Sequence, residues 1–288
     1  MKMMIPMAAA AALFAGCATT SERDCCCATT EAKACACAKA TCACVAPNTL
    51  TCQEKAEGWQ LLWDGATTKG WVGEKCDLKT FPAKGWKIEN GVLTVLPNGY
   101  RDKKTGKYVK LPADKALGGG GDIVTEKLYK DFAFKFDFKL TEAANSGIKY
   151  FYDKAQFKGT CEEYQVLDVA HPDYHNPNPS GLEGTHRIAA LYDLKATANA
   201  EKYVRPLGEW NTGMVVSKGN HVEHWLNGVK VVEYDRGSAE FRALVKGSKY
   251  AKEAKGDQHW GEIPAGRIKI QDHSDSTVHF RNLKIREF

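Results

Sequence analysis

The chain has 288 residues, enough for one large domain or two small ones. Its content of 43% hydrophobic and 26% charged residues is ordinary for a globular protein. Beyond the extreme N-terminus no apolar run approaches the roughly 20 residues that a membrane-spanning helix needs. The net charge is only +5, with Lys and Arg interspersed among Asp and Glu, so there is no electrostatic footprint for nucleic acid.

Residues 1–16 carry a lysine at position 2 and then an Ala-rich apolar stretch, which reads as a short signal peptide. Leu13-Phe14-Ala15-Gly16-Cys17 resembles a bacterial lipobox, and the Cys17 thiol would carry the lipid. Several acyl chains suffice for stable anchoring, so the expected location is the cell envelope, with the membrane a partner through a lipid anchor. Residues 17–52 are rich in Ala, Thr and Cys and lack aromatics; nine of the eleven cysteines fall there. Such a segment cannot bury a core and reads as a disordered tether. Its C-x-C pairs could bind soft metals, but no His accompanies them and the C-x₂-C pairs of a structural zinc site are missing. Cys76 and Cys161 remain in the body, and spacing alone does not show whether they pair.

Residues 53–288 read as one β domain. Trp86–Glu89 and Val92–Val95 flank Asn90-Gly91, a hairpin signal because Asn-Gly tolerates the positive φ of a type I′ turn. Residues 132–140 alternate strictly, placing Phe132, Phe134, Phe136 and Phe138 on one face. Met214–Ser217 turns through Lys218-Gly219-Asn220 into His221–Leu226, and Asn227-Gly228 turns again into Val229–Tyr234. Arg267–Gln271 and Val278–Ile285 close the series. Many short strands with Gly and Asn turns predict an all-β sandwich or barrel with little helix. The best helical spacing lies near Ser238–Tyr250, from Phe241, Leu244 and Val245.

Seven motifs then occur in order. They are Gly58–Gly65 with Gly70-Trp71, Asn145–Phe151, Glu163–Asp168, Gly208–Thr212, His224–Gly228, Ile270–His273 and Phe280–Asn282. Together, over about residues 58–288, they resemble the 3-keto-disaccharide hydrolase family. The resemblance implies a concanavalin-like jelly-roll β-sandwich of two antiparallel sheets whose sheet face holds a sugar. It also implies an enzyme cleaving 3-keto-glycosides by hydrolysis or by C2 deprotonation and β-elimination. An oxidised sugar or glycoside is then the expected partner.

A ketone at C3 acidifies the hydrogen on C2. The chemistry therefore needs a base near C2, a charge stabiliser near the C3 oxygen and a proton donor for the leaving oxygen. Glu163 and Gln165 are two apart on a strand and share a face, pairing a candidate base with a neutral hydrogen-bonding group. The alternative is a solvated polar strand face. Lys149 follows Asn145-Ser146-Gly147 and could stabilise an enolate, act as base or form a surface ion pair. His273 could do acid–base work or support a turn. Asn145, Ser146, Asp168, Gln271, Asp272 and Arg281 are expected to bind substrate. Trp210 could stack on the sugar, and His224 is assigned to the site while His221 stays exposed. His171, Asp173 and His175, in a proline-broken loop, could together reach a divalent cation. The same sheet could instead belong to a non-catalytic carbohydrate-binding module or to a structural envelope protein.

Overall fold

The computed structural model describes residues 46–288 apart from 103, 254–258 and 274. The signal peptide, Cys17 and most of the expected tether lie outside the described residues. The strands, in chain order, are β1 (Gln60–Leu61), β2 (Trp71–Gly73), β3 (Trp86–Glu89), β4 (Val92–Val95), β5 (Gly99–Arg101), β6 (Tyr108–Lys110), β7 (Ile123–Thr125) and β8 (Phe132–Leu140). They continue with β9 (Asn145–Tyr152), β10 (Glu162–Leu167), β11 (Trp210–Lys218), β12 (His221–Leu226), β13 (Val229–Asp235), β14 (Arg267–Ile270) and β15 (Val278–Glu287). Two short α-helices, α1 (Cys52–Ala56) and α2 (Ala239–Gly247), complete the regular structure.

Two antiparallel sheets make the expected jelly-roll sandwich. One runs β13-β12-β11-β8-β15-β4-β3, with β1 also on β15; the other runs β10-β9-β14-β7-β2. Both Asn-Gly turns have positive φ at each residue, 51° and 73° at Asn90-Gly91 and 49° and 85° at Asn227-Gly228, as type I′ hairpins require. The alternating phenylalanines of β8 are fully buried, and Phe136 meets Tyr164 of β10 edge-on at 5.2 Å between ring centroids. Each such ring contributes roughly 1.5–3 kcal/mol through burial. The core therefore lies between the sheets. Asn145, Gly147 and Lys149 of β9 and Glu163 and Gln165 of β10 alternate with the core positions and face away from it.

The structure departs from the sequence reading at the N-terminal boundary of the body and bears out the helical region. The tether ends earlier than residue 52, because Asn48 is docked on the body. Its main-chain N–H donates to Asn282 Oδ1, its Oδ1 accepts from the Asn282 N–H, and its Nδ2 donates to the Gly91 carbonyl. Thr51 and Glu54 then form a reciprocal capping box on α1, a helix that its short length kept from view. Within the expected helical region, α2 is capped by Ser238 and stops at Gly247; a 3-10 turn follows over Lys249–Lys252. Cys76 and Cys161 are free thiols.

Candidate active site

β9 and β10 pair so that Glu163 lies opposite Lys149 and Gln165 opposite Gly147. Their neighbours Ile148, Tyr150, Tyr164 and Val166 point into the core. Alternation therefore sends Asn145, Lys149, Glu163 and Gln165 to the other face, where they line a cleft of about 230 Å³. Gln271 and His273, just beyond β14, join them. Glu163 and Gln165 are nevertheless only 4% and 3% exposed, so they are cleft floor and not a solvated strand face.

The absence of a side chain at Gly147 makes room for this acid. A Cβ there would stand 1.9 Å from Glu163 Oε1. Lys149 Nζ lies 3.8 Å from Glu163 Oε2 and 3.9 Å from Asp122 Oδ2. Behind it Lys269 pairs with Glu74 at 2.8 Å and Asp122 at 3.0 Å. Cations and carboxylates thus alternate across the sheet. Cys161 lies at the cleft edge, and burial pushes its thiol up to about 12, which keeps it neutral and a poor nucleophile.

His273 donates through Nδ1 to Asp275 Oδ1 at 2.7 Å. Burial works against a charged ring, but the hydrogen bond and charge of Asp275, with the charge of Glu163, outweigh it and raise the His273 pKa. Asp275 is buried, which opposes its charge, yet the histidines and Ser276 beside it hold it far below the usual carboxylate range. Arg101, at the end of β5, also donates to Asp275, at 3.0 Å. This arrangement leaves the His273 Nε2 free to exchange a proton with a ligand.

The roof comes from loops. The 189–192 segment runs along β10: the N–H of Ala189 donates to the Gln165 carbonyl, and that of Tyr192 to the Glu163 carbonyl. Tyr192 is thereby carried into the cleft beside Glu163. His186 stacks on it at 4.6 Å and bonds Asp193 at 2.9 Å. Lys249 and Tyr250, from the turn after α2, close the same wall, with Asp173 and Thr160 at the rim. Tyr192, Lys249 and Tyr250 escaped the sequence reading as site residues: Tyr192 lies in no periodic segment, and Lys249 and Tyr250 fall at the end of the expected helical region, in the turn that follows α2. The one signal available was an isolated Tyr192-Asp193 pair downstream of the β10 motif.

Several expected site residues lie elsewhere. His224 is fully buried between the sheets, where its Nδ1–H donates to the Ala189 carbonyl and Tyr150 Oη donates to its Nε2. Burial depresses its pKa to about 4, so it is a neutral core residue. Trp210 and Arg281 sit on the solvent face of the other sheet. The Arg281 guanidinium stands 4.1 Å from the Trp210 ring centroid and pairs with Asp137 at 3.3 Å. Asp168 accepts the Ala143 and Ala170 N–H groups and so ties down a turn. Ser146 donates to the Gln271 carbonyl. Asp272 accepts the Gly121 N–H at 2.8 Å, bracing a loop.

The expected metal loop does not gather its three donors. His171 is buried, accepting the Asp173 N–H with Nδ1 and turning Nε2 toward Asp275 at 3.6 Å. His175 is exposed and packs on Tyr174. Among the described residues, one trio does bring three donors together, His221, Glu223 and Glu233 on the β12–β13 edge. There Lys230 already bridges both glutamates, at 3.2 and 2.5 Å.

Comparison with known proteins follows the same lines. The model of a family described as the 3-keto-alpha-glucoside-1,2-lyase-like domain matches residues 58–286. A protein of Bacteroides thetaiotaomicron named 3-keto-disaccharide hydrolase is 27% identical over 254 residues, covering 80% of this chain and 79% of that protein. A crystal structure from Parabacteroides distasonis, described as a candidate glycosyl hydrolase, aligns with a TM-score of 0.65 at 31% identity. It covers 84% of this chain and 100% of its own. A second structure from that organism, at 22% identity and a TM-score of 0.52, shares the fold.

Proposed function

Since the chain belongs to the 3-keto-alpha-glucoside-1,2-lyase-like domain family, we propose that its cleft cleaves 3-keto-glycosides. The observation that carries this reading is the convergence of Glu163, Lys149 and the His273–Asp275 pair on one sheet face. A binding platform would need aromatic planes and hydroxyl partners, not ionisable groups held together at such desolvation cost.

Glu163 is the base that takes the C2 proton, with Lys149 as its counter-charge. The C–H electrons form the enolate of the C3 ketone. As that enolate collapses, the C1–O bond breaks, a C1–C2 double bond forms and the carbonyl returns. His273 gives the leaving oxygen its proton through Nε2, assisted by the Asp275 carboxylate on Nδ1. Water then adds to the unsaturated sugar, completing a net hydrolysis, or the enone leaves as the product. Asn145, Gln165 and Gln271 supply hydrogen bonds for the sugar hydroxyls.

The test is incubation of the purified protein with a 3-keto-glucoside, following aglycone release and ultraviolet absorption by an enone. Release with enone indicates a lyase, and release without it a hydrolase. Saturable glycan binding with no turnover would replace this reading with a carbohydrate-binding module.

A further inference from the structure

The cleft presents three cationic side chains, and two of them are already matched. Lys149 stands between Glu163 and Asp122, and His273 is bonded to Asp275. Lys249 is different. Its main-chain N–H donates to Asp193 Oδ2 at 2.7 Å, which fixes where the residue enters the cleft. Its ammonium then lies 4.1 Å from the ring centroid of Tyr192 and 5.1 Å from that of Tyr250. Among the described residues that ammonium has no carboxylate partner and no hydrogen-bond acceptor.

An aromatic face attracts a cation but offers no lone pair to its N–H groups. The lysine is thus held in place by contacts that leave its three donors uncommitted. The support is itself braced, because Tyr192 is bonded through its main chain to Glu163, and Asp193 bonds both His186 and the Lys249 backbone. Burial lowers the Lys249 pKa, and the charge of Lys149 adds to this, while the carboxylates of Glu163, Asp193 and Asp173 oppose it through space without outweighing it. With each other charge paired, the cleft keeps one spare cation on the wall that carries the base.

We propose that Lys249 is a catalytic residue that receives the negative charge developing on the substrate's C3 oxygen. This inference rests on the 3-keto-glycoside reading and adds the group which that reading lacks, an oxyanion stabiliser distinct from the base. When Glu163 takes the C2 proton, the electron pair of that bond moves into the C2–C3 bond and the charge appears on the C3 oxygen. The Lys249 ammonium donates a hydrogen bond to that oxygen and keeps its proton, and the charge returns to the C1 leaving group when the carbonyl re-forms. An ammonium with free donors is preorganised for an oxyanion that exists only during reaction, the condition under which a donor lowers a barrier and not merely a binding constant.

The experiment separates deprotonation from cleavage. The 3-ketone of 1,5-anhydroglucitol has no leaving group at C1, so protein-catalysed exchange of its C2 hydrogen in D₂O reports enolate formation alone. A neutral 3-keto-glucoside reports the whole reaction. Lys249→Met, which preserves the aliphatic stem over Tyr192 and Tyr250, should slow both processes by about 10²–10³-fold with KM changed by less than about threefold. Lys249→Arg should recover part of the loss, and both variants should keep the wild-type thermal midpoint. If Lys249→Met is unstable, the comparison of Lys249→Arg with Lys249→Gln, one charged and one neutral, takes its place. Exchange within about threefold of wild type in a folded neutral variant would overturn the assignment while leaving the 3-keto-glycoside reading intact. So would a rise in KM with kcat unchanged, which marks uniform binding. If the wild-type protein itself neither exchanges nor cleaves these ketones, it is the substrate reading that falls, and the role of Lys249 with it.

Discussion

Gly147 and Glu163 are diagonal neighbours on adjacent strands, and the glutamate's carboxylate fills the space where a side chain at 147 would be. A Cβ on Gly147 would lie 1.9 Å from Oε1 and 2.7 Å from the carboxyl carbon. Gly147→Ala should therefore push the carboxylate out of its position while the sandwich still folds. Turnover of a 3-keto-glucoside is expected to fall by at least about tenfold, the change in barrier being at least about 1.4 kcal/mol. Steady-state rates beside the thermal midpoint decide it; an active alanine variant would mean that the glutamate's placement is unimportant.

Glu163→Gln keeps shape and most hydrogen bonding but cannot take a proton. Ligand binding should persist while single-turnover rates drop by about two to four orders of magnitude, the usual range for acid–base catalysis. A merely structural glutamate would instead lose little activity, and near wild-type turnover in the folded variant would shift the role of base to Lys149.

The raised pKa of His273 places its proton-donating form below that pKa and removes it above. Turnover should decline as pH rises through this value. Asp275→Asn removes the main group that raises it, so the alkaline limb of the kcat/KM profile should move toward lower pH. An unmoved limb would show that His273 does not supply the proton.

Two buried groups make opposite contributions to stability. His224 has a folded pKa of about 4 against the ordinary 6.5 of a free histidine, so unfolding takes up a proton in that window and stability is lost as pH falls through it. The full effect is about 3 kcal/mol. Burial raises Glu162 to about 7 despite its pairing with Arg236, so its contribution is lost as pH rises from about 4.5 to 7. Thermal midpoints across pH 4–7.5 check both: His224→Gln should remove the acid-side loss, and Glu162→Gln the loss on the other side. Midpoint–pH curves parallel to wild type in both variants would contradict the assignments.

We propose from the lipobox-like Leu13–Cys17 that Cys17 carries a lipid, so Cys17→Ser, which lacks the thiol, should leave the membrane fraction. Fractionation of cells expressing each form tests it, and wild-type levels of the variant in the membrane would refute anchoring through this residue.

Periodicity made the strands legible, and with them the part of the cleft built on strands. Glu163 and Gln165 share a face because they are two apart, and Asn145 and Lys149 share one for the same reason. What alternation leaves open is which face is the core and which of two sheets a strand joins. His224 shows the first ambiguity, although its partners on the same face, Val222 and Leu226, are apolar and already point to burial. Trp210 and Arg281 show the second, being expected against the sugar but belonging to the sheet without the cleft, where Arg281 pairs with Asp137. Tyr192 and Lys249 come from non-repeating loops that meet only through tertiary contacts, so no local pattern announces them. Asn48 was hidden in a compositional boundary that its three hydrogen bonds overrule.

Glu162 and Glu163 are consecutive, yet one is sealed in the interior against Arg236 and the other lines the cleft. A slip of β10 by a single residue would turn each side chain to the opposite face, taking Tyr164 and Val166 out of the core and putting Gln165 into it. Such a molecule would lose its core packing and the alignment of Glu163 with Lys149 together. Assembly of this strand is thus self-checking: a chain that has reached a stable register has, by the same act, armed its cleft, and no long-lived population of well-folded but misaligned protein is expected to compete for substrate.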